Sequence, residues 1–530
     1  MVNNFFKIRQ LERAINRQTN QSVEGRDSVH IVILVTIALM IGVYLIATTT
    51  LIAKDGVSYI NYAKGLGIDP FKVIRDSSGY APRLYTPGYP FLILMIHKLI
   101  DLFGDGLTVP SWIYSAQAAV LLCRILALIP LYFIGKEFVG GKLSFWAMLV
   151  LVILPYPAQL GSDVLREWPY CLFLATGFLF LIWGARYKKW LMFALVGISA
   201  GFGYIVRPEC AQLVMYGIMW LTLNTFRQSY KSGISRAKLI GRLALLIIGF
   251  AVVAAPYMKI RGEVLPSRLK IIIEYFSSNS KENNIQQSES FPLANSKCMA
   301  GLPIRKDNVT KALTLLIRRT TEHLMYYFMP AWLIGMYYYF RRKTKNEAMF
   351  LITTFFLTNV GMVILRYCMH PDLSRRYVFP LVAFTIFFVP LGLQTISRWF
   401  EGMFFRRAGQ NKASQKEQWF FVLLIIGLTI CIPKLFRPIR IEKKGYLLAA
   451  EWLKENTEKE DIIVVPDERI SFYAERKCIE SLGTGFPADA KYVIRELKDQ
   501  EKPPAQMTKV WSSYLSKKKK KDKIVIYKKI

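Results

Sequence analysis

The sequence predicts an all-α polytopic membrane protein, with about 11 transmembrane helices plus interfacial helices and a small C-terminal α/β extramembrane domain. Three observations lead there. Of 530 residues, 53% are hydrophobic and only 20% charged, whereas a globular chain of average composition has about 45–50% apolar and about 25% charged residues. The apolar residues lie in blocks such as His30–Ala53, and about 20 such residues, each rising about 1.5 Å, cross the hydrocarbon layer. The net charge of +33 sits largely in short connections between blocks, as expected when positive charge sets membrane topology. Disorder, a disulfide scaffold and a basic nucleic-acid-binding protein are excluded by the same pattern.

Residues 1–29 are polar and carry Lys7, Arg9, Arg13 and Arg17. No small-residue cleavage site precedes the first apolar block, so this segment reads as a cytoplasmic N-terminal helix feeding an uncleaved span. The apolar blocks are 30–53, 88–103, 112–136, 143–160, 168–185, 190–206, 211–226, 239–258, 323–340, 347–366, 377–397 and 418–436. Between them, RYKK (186–189), RQSYKSGISRAK (227–238), RRKTK (341–345) and the stretch 398–416 are strongly basic and belong on the cytoplasmic side. If every block crossed, GKEFVGGK (135–142) and the later basic loops would face out. The parity is restored if the 88–103 block, which contains His97 and Lys98, lies along or dips into the outer interface.

That topology divides the chain into the N-terminal helix 1–29, a membrane domain 30–436 with outer loops 54–111 and 259–322, and an outer α/β domain 437–530. Within the last, 445–456 reads as an amphipathic helix and 461–465 as a strand; 468–477 reads as a helix capped by Asp467, and 523–529 as a final strand. Cys123, Cys171, Cys368 and Cys431 fall in or beside apolar blocks, as small buried hydrophobes do; Cys298 and Cys478 could pair only if both lie outside. Gly197 and Gly201 form a GxxxG read as close helix packing. Lys517–Lys521 reads as a solvated loop.

Chemistry concentrates where spans meet the outer face. Asp55 follows the first span, with Tyr59 one turn on. Asp163 and Glu167 stand four residues apart in GSDVLREWPY, so on a continuing helix both carboxylates point the same way. Arg207 and Glu209 flank Pro208, which stops a helix there. His370, Asp372, Arg375 and Arg376 crowd CMHPDLSRRYVFP. Singly, each such residue marks the edge of the membrane. Together they supply carboxylates able to take a proton from an acceptor hydroxyl or amine, and guanidinium groups able to hold a phosphate. Transfer of a group from a lipid-linked phosphate needs that set, since the leaving phosphate gains negative charge. The charge left at outer span ends after topology is accounted for is a small group: Arg207, Arg366, Arg375 and Arg376.

In order along residues 30–400, the carboxylate after the first span, TPGYPFL (86–92), SDVLREWPY, the RPE at 207–209 and RRYVFPL resemble the GT-C membrane glycosyltransferases. Their protein O-mannosyltransferase and aminoarabinose-transferase branch is the most similar. The resemblance implies a polyprenyl-phosphate sugar as donor, an inverting transfer to a lipid, glycan or protein acceptor on the outer, periplasmic face of a cell inner membrane, and Asp55 as catalytic base. It further implies that the Asp163/Glu167 turn lines the same cavity, with Tyr59, Arg207, Glu209, His370, Arg375 and Arg376 as substrate-binding candidates. Many of these enzymes carry Lys-Pro-Pro where this chain has Thr86-Pro87-Gly88, leaving Arg83 as the candidate substitute for the phosphate-binding lysine. Asp76 is the nearest counterpart of a second acidic residue. No cofactor is assigned; a divalent metal between Asp55 and Asp163 stays open, because branches of the family differ in metal use. No HExxH or paired histidine spacing occurs. The competing class is a transporter or flippase of a lipid-linked or anionic substrate, which would place charge at mid-membrane; here Arg124 is the main charge inside a span.

Overall fold

A computed structural model describes residues 26–75, 86–102, 108–229, 236–262, 306–341, 347–369, 373–405, 418–480, 487, 489–498, 507–516 and 519–529. The N-terminal segment up to residue 25, Asp76, Arg83, Cys298, His370 and Asp372 lie outside these residues.

The chain is mostly helical. Among the described residues, six helices are long and apolar enough to cross a membrane: Arg26–Ala47, Val109–Val139, Glu167–Tyr187, Lys238–Arg261, Glu347–Cys368 and Gln418–Leu435. A seventh is counted if Arg375–Thr385 and Phe388–Phe400, bent by 61°, form one span. Gly141–Ile153 and Leu191–Val206 are apolar but shorter. The eleven expected spans are therefore not reached by length and composition. Proline is one reason: Pro155 ends the expected 143–160 span at Ile153, and a short helix Pro155–Leu160 follows. The expected 323–340 block is also divided. The Lys306–His323 helix ends at its first residue, Met325 and Tyr326 take positive φ, and Phe328–Arg341 starts anew.

Close packing holds the bundle together. A Cβ on Gly197 would stand 2.2 Å from the Leu246 carbonyl oxygen, and one on Gly201 2.7 Å from the Val253 Cβ. The GxxxG face thus lets the Leu191–Val206 helix lie directly against Arg236–Arg261.

Residues 444–529 form a separate small layer. Helix Lys444–Asn456 covers a five-stranded sheet of order β2-β1-β3-β5-β4, where β1 is Ile463–Val465, β2 Cys478–Glu480, β3 Tyr492–Lys498, β4 Met507–Ser516 and β5 Lys519–Lys529. β1 pairs in parallel with β2 and β3, and β5 runs antiparallel to β3 and β4. The alternation Ile463/Val465, Tyr492/Ile494 and Ile524/Ile526 faces Tyr446, Ala449, Ala450 and Leu453 of the helix. Helix Glu468–Ala474 is shorter than the expected 468–477 and starts at Asp467, whose carboxylate accepts from the Arg469 N–H.

This layer is docked on the membrane bundle. Leu51, in the connection after the first span, is fully buried in the layer's own core. The Thr50 N–H donates to the Ile439 carbonyl at 3.1 Å, and the Ile52 N–H to the Tyr473 hydroxyl at 3.1 Å.

Candidate active site

The first span ends at Ala47, and residues 49–53, which touch the C-terminal layer, lead into a new helix, Lys54–Ile68. Asp55 is the second residue of that helix and accepts a hydrogen bond from Arg376. Tyr59, one turn on, is buried edge-on to Tyr89 with the Arg166 guanidinium 6.0 Å from its ring.

Asp163 and Glu167 do not share a helical face. Residues 161–166 form a turn, and the helix starts only at Glu167. The buried Asp163 carboxylate accepts from the Ala53 N–H at 2.9 Å and its neighbour's Val164 N–H at 2.8 Å, while its other oxygen pairs with Arg440. Ala53 is the residue just before the helix of Asp55, so Asp163 supplies the acceptor that fixes where this helix starts. Gly56 allows the approach: a Cβ there would sit 2.9 Å from the Val164 Cβ.

Glu167 faces the other way, toward Arg207, with Nη1 3.8 Å away. Arg207 is buried where Pro208 ends the Leu191–Val206 helix, with Nε 3.3 Å from Glu209. Its guanidinium stands 5.2 Å from the Tyr170 ring and 5.5 Å from the Tyr377 ring. Around Tyr377 stand two more guanidinium groups, Arg366 at 3.8 Å and Arg376 at 5.5 Å. Arg207 Nε and Nη1 are sealed from solvent without a hydrogen-bond acceptor, and Glu167 Oε2 is sealed without a donor. Thr86 donates to the Val206 carbonyl at 2.6 Å, which brings the Thr86-Pro87-Gly88 segment beside Arg207.

The two neighbouring arginines of the RRYVFP stretch part company. Arg376 meets Asp55 and also lies in the field of Glu167. Arg375 donates to Glu322 at 2.6 Å, shares it with Arg319 at 2.9 Å, and covers the Tyr156 ring at 4.6 Å. The structure therefore brings together Asp55, Glu167, Arg207, Glu209 and Arg376, places Asp163 and Tyr59 as their supports, and sets Arg375 apart. Arg166 and Tyr377 went unassigned from sequence although both stand inside quoted motifs, because an arginine or tyrosine at a helix end carries no spacing signal. Arg440 and Glu322 lie in segments without any motif.

Among the described residues, no group of three or more His, Cys, Asp or Glu is arranged to hold a metal ion. The pair Asp55/Asp163 does not make a ligand set, since Arg376 engages the first and two backbone N–H groups and Arg440 the second.

No protein-family model matches the chain, and no curated protein matches it by sequence. Solved structures do match its fold. ArnT from Cupriavidus metallidurans bound to undecaprenyl phosphate superposes with TM-score 0.55 at 10% identity, over 93% of this chain and 97% of that one. The archaeal oligosaccharyltransferase AglB from Archaeoglobus fulgidus, in complex with an inhibitory peptide and a dolichol-phosphate, gives 0.53 at 12% identity, over 88% and 69%. The apo form of the Archaeoglobus fulgidus oligosaccharyltransferase gives 0.52 at 12% identity, with the same coverages. These are GT-C superfamily membrane glycosyltransferases, and this chain has their fold.

Proposed function

We propose that this chain is an integral-membrane glycosyltransferase that moves a sugar from a polyprenyl-phosphate donor to an acceptor on the outer face of a cell inner membrane, with inversion and with Asp55 as base. One observation carries the reading: Arg207, sealed and short of hydrogen-bond acceptors, joins Arg366 and Arg376 around Tyr377, beside Asp55. Three guanidinium groups at the ends of apolar helices suit a phosphate whose tail stays in lipid. The fold supports it, as two of its neighbours were solved with undecaprenyl phosphate or dolichol-phosphate bound.

In the resting protein Asp55 is neutralised by Arg376. An arriving donor phosphate competes for that guanidinium and leaves the carboxylate free. Asp55 then takes the proton of the acceptor hydroxyl or amine as that atom attacks the anomeric carbon from the face opposite the phosphate. The bonding pair departs onto the phosphate oxygen, whose growing charge Arg207, Arg366 and Arg376 stabilise. Glu167 and Glu209 hold Arg207 in place. In this reading the N-terminus is cytoplasmic, residues 30–436 are the catalytic membrane domain and 437–530 cover its outer side.

The test is to incubate membranes containing wild-type or Asp55→Asn protein with a panel of labelled polyprenyl-phosphate sugars and follow the label. Transfer by the wild type and none by a normally folded Asp55→Asn is expected. Full activity in Asp55→Asn removes Asp55 as base, and label that crosses liposome bilayers without being transferred identifies a transporter instead.

A further inference from the structure

The last turn of helix Lys306–His323 grips the stretch that carries Arg376. Arg319 Nε donates to the Leu373 carbonyl at 3.1 Å, Arg375 Nε donates to Glu322 at 2.6 Å, and His323 Nε2 meets the Arg375 carbonyl at 2.9 Å. A carbonyl oxygen only accepts, so His323 carries a hydrogen on Nε2. Its ring is fully buried against Tyr156, with centroids 5.4 Å apart, and Nδ1 is sealed without a partner. A phenyl ring would fill that space with no stranded nitrogen, and stranding one costs stability. What the histidine adds is its N–H to Arg375. The helix is stopped just beyond this turn at a backbone cost: Met325 and Tyr326 take φ of 53° and 63°, the left-handed region that side chains disfavour, and the Tyr326 N–H closes back on the Thr321 carbonyl at 2.9 Å. On the gripped side, the Tyr377 N–H donates to the Ser374 carbonyl at 3.2 Å within the short helix Arg375–Val378, from which Arg376 meets Asp55.

We propose that His323 is a positioning residue for the donor phosphate, acting through Arg376. With Arg319 and Glu322 it fixes residues 373–375 by main chain and by the Arg375 side chain, and so sets where the next residue, Arg376, stands between Asp55 and the Tyr377 ring. This rests on the glycosyltransferase reading and deepens it. His323 does not touch substrate; it holds Arg376 in place before the phosphate arrives, so that little ordering is left to offset the binding.

The experiment uses the full chain, in membranes for turnover with the donor found active in the panel, and purified in detergent for binding of undecaprenyl phosphate. His323→Phe keeps a ring against Tyr156 and removes the N–H. It is expected to weaken undecaprenyl-phosphate binding and raise the donor KM about tenfold, the size of one hydrogen bond to a charged group, with the acceptor KM unchanged. His323→Gln, whose amide N–H reaches the Arg375 carbonyl, should restore both. In an Arg376→Gln background His323→Phe should add nothing; effects that multiply, or an acceptor KM that rises with the donor KM, overturn the proposal. Arg319→Met, at a partly exposed side chain, loosens the grip on Leu373 without altering the buried ring and should weaken binding in the same direction. Unchanged binding in either folded variant overturns the assignment. A wild type that binds undecaprenyl phosphate but transfers no sugar refutes the glycosyltransferase reading, and the binding comparison then still decides the role of His323.

Discussion

Asp163 offers the clearest separation of support from chemistry. Its carboxylate accepts from two backbone N–H groups, Ala53 at 2.9 Å and Val164 at 2.8 Å, and pairs with Arg440, whose side chain is only 26% exposed. Asp163→Asn can keep its amide oxygen on both N–H groups, so it loses chiefly the ion pair. Stranding one partner of a buried pair costs about 3–5 kcal/mol, and the partial exposure of Arg440 brings that to about 2–3 kcal/mol. Asp163→Ala also leaves the two N–H groups without an acceptor, each costing about 1–3 kcal/mol. At on the order of 2 °C per kcal/mol, the melting midpoint in detergent should fall by about 5 °C for Asn and by about 13 °C for Ala. Adding Arg440→Met to Asp163→Asn removes the stranded charge and should recover about half of the Asn loss. If Asp163→Asn melts like the wild type but loses transfer, the carboxylate acts on substrate and the supporting role assigned to it is wrong.

Further expectations concern the arginines, the docking and pH. Arg366→Gln should raise the donor KM about tenfold, one charge-assisted hydrogen bond, with little change in the acceptor KM; equal changes in both would remove the arginines from the donor phosphate. Arg469→Ala strands Asp467 and releases the Ile52 carbonyl, so limited proteolysis should detach the C-terminal layer sooner while the membrane bundle stays intact. Acid and neutral pH should act on this layer in opposite senses. At Asp467, burial would raise the carboxyl, but the bonds and charge of Arg469 outweigh it and hold it below the usual range; its stabilisation is present above about pH 4 and is lost as pH falls through the lower native value. At Glu468 the native carboxyl holds its proton up to about 7, so its contribution is present at acid pH and is lost as pH rises from about 4.3 through that value. Protease protection of the layer should decline over that rise in the wild type and stay level in Glu468→Gln.

Hydropathy located most helices, because burial in lipid imposes an apolar run that needs no tertiary partner to be legible. The expected blocks 168–185, 190–206, 347–366 and 418–436 correspond closely to Glu167–Tyr187, Leu191–Val206, Glu347–Met369 and Gln418–Leu435. Where the apolar run hides a break, as at Pro155 or at Met325 and Tyr326, hydropathy is continuous while the backbone is not. In the C-terminal layer the helix at 445–456, strand β1 and the 523–529 end of β5 are legible from their periods, whereas Lys519–Lys521, expected in a solvated loop, open β5, with Lys519 paired to Ser516 of β4. The short β2 and the polar β4 are not legible, since both lie at the edges of the sheet, nor is the central β3, whose Tyr492, Val493 and Ile494 are buried on both faces and so show no alternation.

The sequence by itself determined that this is a helical membrane protein with a small mixed layer at its C-terminal end, and that its arginines and carboxylates gather at the ends of spans. Only the tertiary structure decided which charge meets which. Asp55 finds Arg376 across 321 positions and Asp163 finds Arg440 across 277, while Arg375, adjacent to Arg376, turns to Glu322. Spacing along a helix speaks for residues three or four apart. Partners separated by hundreds of residues are set by how helices cross and by where a distant layer docks, which no local pattern encodes.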